Sequence, residues 1–251
     1  DYVRKSVRTL FNTYPLLTAI GITSGENMGD QNSGTAVKEQ WLWDTYGLGV
    51  KDAMEDAQNP AGPYYRPGRV IRLIHRAHQS NLNDIVTLFR QLPGYDAPDS
   101  TLSFSFKYSQ AHMHSSTQPL FIHQNRWFDS IPPGKTTWLT VRNDDMYYMR
   151  WGDPDFARAY LTNLPDLTRI AGFYMGPDGY TWGREFLSTE PDAPRQLVMK
   201  KMWYSFLIWG RLAYEPSLPN THFQHILGAR FPQVSASDLF GAGGRTPPRH
   251  Q

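Results

Sequence analysis

Leu102-Ser103-Phe104-Ser105-Phe106-Lys107-Tyr108 alternates large apolar residues with small or polar ones along its whole length. A period of two is the mark of a strand, with Leu102, Phe104, Phe106 and Tyr108 turned toward covering helices. Ser103, Ser105 and Lys107 face the other way, Lys107 near the carboxyl end. Working outward, Val70–His75 is a second strand behind the Pro/Gly connector 59–68. Leu16–Thr23 is a third, apolar and β-branched, running into the Gly/Asn-rich stretch Ser24–Asp30. Downstream, Thr136–Arg142 and Ile170–Met175 have the same character. Helical patterns lie between them. Val3, Val7, Leu10, Phe11 and Tyr14 line one face of a helix stopped by Pro15, and a helix weakened by Gly47 and Gly49 is expected within Ala36–Ala57. Asn81 caps a helix with Asp84 in its first turn and Leu82, Ile85, Val86 and Phe89 on its inner face, ended by Pro93-Gly94. Asp153-Pro154 opens another, with Phe156, Tyr160, Leu161 and Leu164 inside, and a long apolar helix reaches Tyr214 after a loop from Gly176 to about Arg195. Strands and helices in this order predict an α/β fold with a parallel sheet and right-handed crossovers, spanning residues 1–240 and followed by a flexible Gly/Pro/Arg-rich tail over 241–251.

Composition narrows the function classes. The chain has 251 residues, 40% of them hydrophobic and 14% aromatic, enough to bury roughly 70–75% of the unfolded surface. Twenty-five Lys and Arg against 23 Asp and Glu leave a formal charge of +2, which disfavours a nucleic-acid partner. The greasiest stretch, Trp203–Tyr214, is interrupted by Ser205, Gly210 and Arg211, so a membrane partner is not expected either. Zero cysteines exclude disulfides, thiolate metal sites and cysteine nucleophiles. The first residues, Asp1-Tyr2-Val3, suggest a processed or excised chain; a secreted or periplasmic location is expected, and a cytoplasmic one fits the absence of cysteine equally.

Connectors from helix to strand, such as Pro93–Ser100, are short, whereas those after strand ends are long and chemically rich. Parallel α/β folds place their sites at that edge. Glu26 and Asn27 follow the Leu16–Thr23 strand, where partial burial can raise a glutamate toward neutral pH and make it a general acid. A solvated loop acid would look the same. Arg142-Asn143-Asp144-Asp145 follows the Thr136–Arg142 strand, and Arg142 can keep a neighbouring acid ionised as base or nucleophile; an Asn-Asp turn is the plain alternative. Two carboxyl groups with opposed pKa values are what glycoside hydrolysis needs. Strand parity puts Thr140, Arg142 and Asp144 on one side, and Asp145 follows if the backbone turns at Asn143.

His75, His78, His112 and His114 are expected to hydrogen-bond substrate hydroxyls or carboxylates, a plain structural role being the alternative, with no catalytic metal and no cofactor. Lys107 should point into the cleft. Trp151, Tyr180 and Trp182 offer flat amphipathic rings, and Asp178 a polar neighbour, of the kind that a sugar's C–H faces and hydroxyl edges require. No Gly-rich phosphate loop is present.

Gly21–Met28, Tyr148–Pro154 and Gly172–Gly183 together resemble the strand-end motifs of (β/α)8-barrel polysaccharide-degrading enzymes, above all the α-glucuronidase-like barrels of glycoside hydrolase families 67 and 115. The resemblance spans about residues 16–190. It implies a TIM-barrel-type sheet and a carbohydrate substrate. It also implies Glu26 as the acid after the fourth barrel strand, with Asp144 or Asp145 as partner. One such clan has an Asn before its acid; here Gly25 precedes Glu26 and Asn27 follows. Counting from Glu26, the chain would hold the C-terminal five β/α units of the barrel, with the rest of the barrel as its structural partner. A carbohydrate-binding barrel without turnover and a metal-dependent hydrolase built on the histidines are the alternatives.

Overall fold

The computed structural model describes residues 1–23, 34–77, 80–106, 117, 130–141, 152–164, 166–175 and 203–244. In chain order these form α1 (Tyr2–Thr13), β1 (Ala19–Thr23), α2 (Gly34–Leu42), a π-helical turn (Trp43–Gly47), α3 (Leu48–Gln58), β2 (Arg72–Ala77), α4 (Leu82–Phe89), β3 (Leu102–Phe106), β4 (Thr137–Val141), α5 (Pro154–Thr162), β5 (Ile170–Met175), α6 (Trp203–Tyr214), α7 (Asn220–Arg230) and α8 (Ala236–Gly244). The strands make one five-stranded sheet in sequential order β1-β2-β3-β4-β5, a parallel α/β arrangement as the alternating pattern predicts. Sequential order, with α2 and α3 between β1 and β2, α4 between β2 and β3, and α5 between β4 and β5, is the arrangement of consecutive β/α units in a barrel wall.

Register fixes which residues share a face. Ile22, His75 and Phe104 are partners across β1, β2 and β3, as are Ile20, Leu73 and Leu102. Leu73, Leu102, Phe104 and Leu139 are buried on this face together with Ile85 and Phe89 of α4. The other parity carries Gly21 and Thr23, Ile74 and Arg76, Ser103 and Ser105, and Trp138. Ser103 and Ser105 are themselves buried, so β3 is covered on both faces.

The chain divides into two compact units. One holds α1–α4 and the sheet as far as Thr140 and Phe173. In it, α1 and α3 pack along a seam where Arg4 pairs with Asp52 at 2.7 Å and Arg8 with Asp56 at 2.6 Å, and Asn12 donates to Asp56 at 2.7 Å. Positions 4, 8 and 12 stand one turn apart, opposite 52 and 56. The glycines expected to weaken the helix within Ala36–Ala57 are packing devices instead. A Cβ at Gly47 would lie 2.4 Å from the Trp43 ring, and one at Gly49 would lie 2.7 Å from the Arg4 carbonyl and 2.8 Å from the Val7 Cβ. The helical path therefore continues from Gly34 to Gln58 with a π turn at its centre.

The second unit contains α5–α8. The Asp153 side chain caps α5 by accepting from the Phe156 N–H at 3.0 Å, with Pro154 in the first turn, as the sequence predicts. Tyr160 meets Trp209 of α6 edge to face, and Arg158 donates to the carbonyls of Pro216 and Leu218. The region read as a tail from Gly241 onward is corrected in part, because α8 continues through Gly244. Gly243 lies against the Gly152 backbone, where a Cβ would stand 2.5 Å from the Gly152 oxygen. These small residues serve close approach, not disorder. Residues 245–251 lie outside the described residues. Among the described residues no helix is long and apolar enough to cross a membrane.

Candidate functional site

Each strand points its carboxyl end into one of the segments 24–33, 78–79, 107–116, 142–151 and 176–202, all outside the described residues. Glu26, Asn27, His78, Lys107, His112, His114, Arg142, Asp144, Asp145, Trp151, Asp178, Tyr180 and Trp182 fall in these segments, so their geometry lies outside the described residues too. What can be built from the residues upward is the sheet beneath them.

His75 is the one sequence-predicted site residue within the described chain, and its position corrects the expectation that it lines the cleft. Its parity on β2 is that of Leu73 and Ala77, the helix-covered face. There its Nε2 meets Glu39 Oε2 of α2 at 2.7 Å, both side chains are fully buried, and the ring stands edge-on to Phe89 of α4. Phe89 in turn meets Trp43 edge-on. A buried carboxylate survives only when paired, and this pair joins the helix that follows Glu26's segment to the strand that precedes His78. His75 Nδ1 and Glu39 Oε1 have no hydrogen-bond partner among the described residues. Glu39 was missed at the level of sequence because on a helix of mixed composition it reads as a surface charge.

The opposite face carries polar and aromatic side chains that strand periodicity did not single out. Across β1–β4 the registers Thr23↔Arg76, Arg76↔Ser105 and Ser105↔Trp138 make one continuous row. It lies at the carboxyl ends of β1, β2 and β3. Trp138 is held by its indole N–H, which donates at 3.2 Å to the hydroxyl of Ser103, two residues back along β3 from its register partner Ser105. Arg76 is half-buried, with its Nε sealed from solvent and met by no acceptor among the described residues. An unmade hydrogen bond from a buried donor costs about 1–3 kcal/mol, more for a charged group. Arg72, on the same face at the amino end, is paired with Asp99. Parity could have found this row: extending the Val70–His75 strand by two residues places Arg76 beside Ile74, and Trp138 shares parity with Thr140 and Arg142.

Lys135, a buried cation of the sheet unit, lies just before the amino end of β4. Its ammonium donates to the Tyr95 carbonyl at 2.5 Å and sits 4.0 Å from that residue's ring centre, a structural role away from the carboxyl edge. Burial pushes its pKa down from the usual lysine value. Among the described residues no group of three or more His, Asp and Glu side chains could hold a metal.

The fold has a solved counterpart. A GH138 enzyme targeting pectin rhamnogalacturonan II aligns over 97% of this chain with a TM-score of 0.61 and 18% identity. The chain spans 27% of that protein's length. At this identity the likeness establishes a glycoside-hydrolase-like α/β fold and does not point to families 67 and 115 specifically. No family model matches the chain. No curated protein matches it.

Proposed function

We propose that the chain is part of a glycoside hydrolase that cleaves a polysaccharide or oligosaccharide with a pair of carboxyl groups. Glu26 is the general acid, and Asp144 or Asp145 is the ionised partner. The observation that carries this is topological: Glu26 follows β1, and the two aspartates follow β4, at the carboxyl ends of strands in one parallel sheet. Parallel α/β folds assemble catalytic residues from several strand ends at that edge. The likeness to a glycoside hydrolase supports the reaction class. The α-glucuronidase-like motifs and the neighbour's pectic target both make a plant cell-wall saccharide the substrate class to try first.

Glu26→Gln removes the proton that the leaving group requires, and general acid catalysis is worth ~10²–10⁴ in rate. Turnover of an ordinary glycoside should fall by that factor while binding survives. An activated aryl glycoside, whose leaving group needs no proton, should regain most of the rate in Glu26→Gln and none in the variant of the catalytic aspartate. Full activity of Glu26→Gln, or equal loss on both substrates, would remove Glu26 from the role.

A further inference from the structure

We propose that Thr35, Glu39, His75 and Asp84 are positioning residues for the reaction assigned above. Two polar rungs lock α2 in one register against β2 and α4, and so hold Glu26, whose segment leads into α2, in place for proton transfer. This deepens the glycosidase assignment and rests on it for the role of Glu26.

The rungs lie on one stripe of α2. Thr35, Glu39 and Trp43 follow each other at one-turn intervals, Trp43 where α2 passes into the π turn. The Thr35 hydroxyl donates at 2.8 Å to Asp84 Oδ2 in the first turn of α4. One turn on, Glu39 Oε2 meets His75 Nε2 of β2 at 2.7 Å. A further turn on, Trp43 meets Phe89 of α4 edge to face with ring centres 5.4 Å apart, and Phe89 also stands edge-on to His75. The stripe therefore grips both the strand and the helix of the next β/α unit. Asn81 caps that helix by accepting the Asn83 N–H, so the chain entering α4 from β2 is tied down beside Asp84.

Where the polar contacts sit decides what they do. Between α1 and α3 the ion pairs flank an apolar seam, and Arg4 and Arg8 stay partly exposed. On α2 the Glu39–His75 pair takes the central place in the stripe, with both side chains at 0% exposure. Apolar residues of the same volume would pack there at least as stably, because desolvation consumes most of what a buried pair gains. What the pair supplies is direction. Apolar side chains tolerate sliding, whereas a hydrogen bond weakens steeply once its distance and angle are lost. With Thr35 bound to Asp84 at the same time, α2 has one position along β2 in which both bonds are made. Proton transfer needs such placement, since a shift of about 1 Å caused far from the chemistry can cost on the order of 10²-fold in rate.

The test separates a misplaced acid from a weakened fold. Glu39→Met combined with His75→Leu keeps the volume and removes the direction, Thr35→Val removes the outer bond alone, and Thr35→Ser keeps it. Asp56→Ala, on the α1–α3 seam, is the control for mild destabilisation, and circular dichroism with thermal melting checks the fold of each variant. On an ordinary glycoside the double variant should lose kcat roughly 10- to 100-fold with KM within about twofold. On an activated aryl glycoside, whose leaving group needs no proton, it should lose less than about threefold. Thr35→Val should show the same pattern to a smaller degree, Thr35→Ser should restore the wild-type ratio between the two substrates, and Asp56→Ala should leave that ratio unmoved. Equal losses on both substrates in folded variants, or no loss on either, overturn the proposal; if the double variant does not fold, the two Thr35 variants decide. Hydrogen exchange reads the lock without reference to Glu26. Amides of α2 should exchange several-fold faster in Thr35→Val than in the wild type while those of α1 and α3 stay the same, and unchanged exchange in α2 overturns the lock. Full turnover in Glu26→Gln overturns the catalytic reading and the claim on Glu26 together, while faster exchange in α2 still supports the lock.

Discussion

Glu39 and His75 are the two fully buried ionisable side chains of the sheet unit that meet each other, at 2.7 Å, and nothing else polar among the described residues answers their remaining atoms. Two groups taken out of water repay the cost only through each other, so the pair is a poor source of net stability and a strict constraint on geometry. Deleting either partner leaves the other buried alone, and His75→Leu or Glu39→Met should each cost about 3–5 kcal/mol. The double variant, which replaces both by apolar groups, should cost far less than the sum. A urea-denaturation double-mutant cycle measures this, and additive losses would show that the two side chains are not energetically coupled.

At the scale of elements, the α1–α3 seam shows how a helix pattern becomes a packed pair. Val7 and Phe11 are buried as spacing predicts, whereas Leu10 and Tyr14 of the same expected face are exposed, and the flanking Arg4, Arg8 and Asn12 reach Asp52 and Asp56. The Arg8 guanidinium, helped by Asn12, holds the Asp56 carboxyl below its usual 3.8 against the opposing effect of burial. A carboxyl group depressed in the folded state contributes stability above its unfolded pKa and loses it as pH falls through the folded value. Arg8 is about half exposed, so solvent screening keeps the contribution small. Asp56→Ala should therefore destabilise the protein by about 0.5–1 kcal/mol at neutral pH, and the gap to wild type should close as pH drops below 4. Denaturant melts across that range read it; a gap that stays constant would mean the ion pair is not its source.

For the whole molecule, an open five-stranded parallel sheet in sequential order accounts for the expectation of consecutive barrel units. The histidine-based alternative is a claim about the same edge. If carboxyl groups do the chemistry, prolonged chelation of the purified protein should leave saccharide cleavage unchanged. Loss of activity that one divalent metal restores would favour the metal-dependent hydrolase instead.

Strand periodicity, the Asn81 and Asp153 caps and the alternation of helix with strand were enough to determine a parallel α/β fold, because each is a local preference that tertiary packing reinforces. The candidate carboxyl groups Glu26, Asp144 and Asp145 rest on their distance from a strand end alone, for all three lie outside the described residues. Three matters needed the tertiary structure. His75 could be assigned to the helix side only once the register and Glu39 were known, for the two partners are 36 residues apart. Gly49 and Gly243 read as breaks, and only the approach of α1 to one and of Gly152 to the other shows that the missing Cβ is what lets the backbones meet. Arg76, Ser105 and Trp138 belong to three different strands, and a row across a sheet exists only after those strands are paired, because parity along a strand says which face a residue takes and never which neighbour it stands beside.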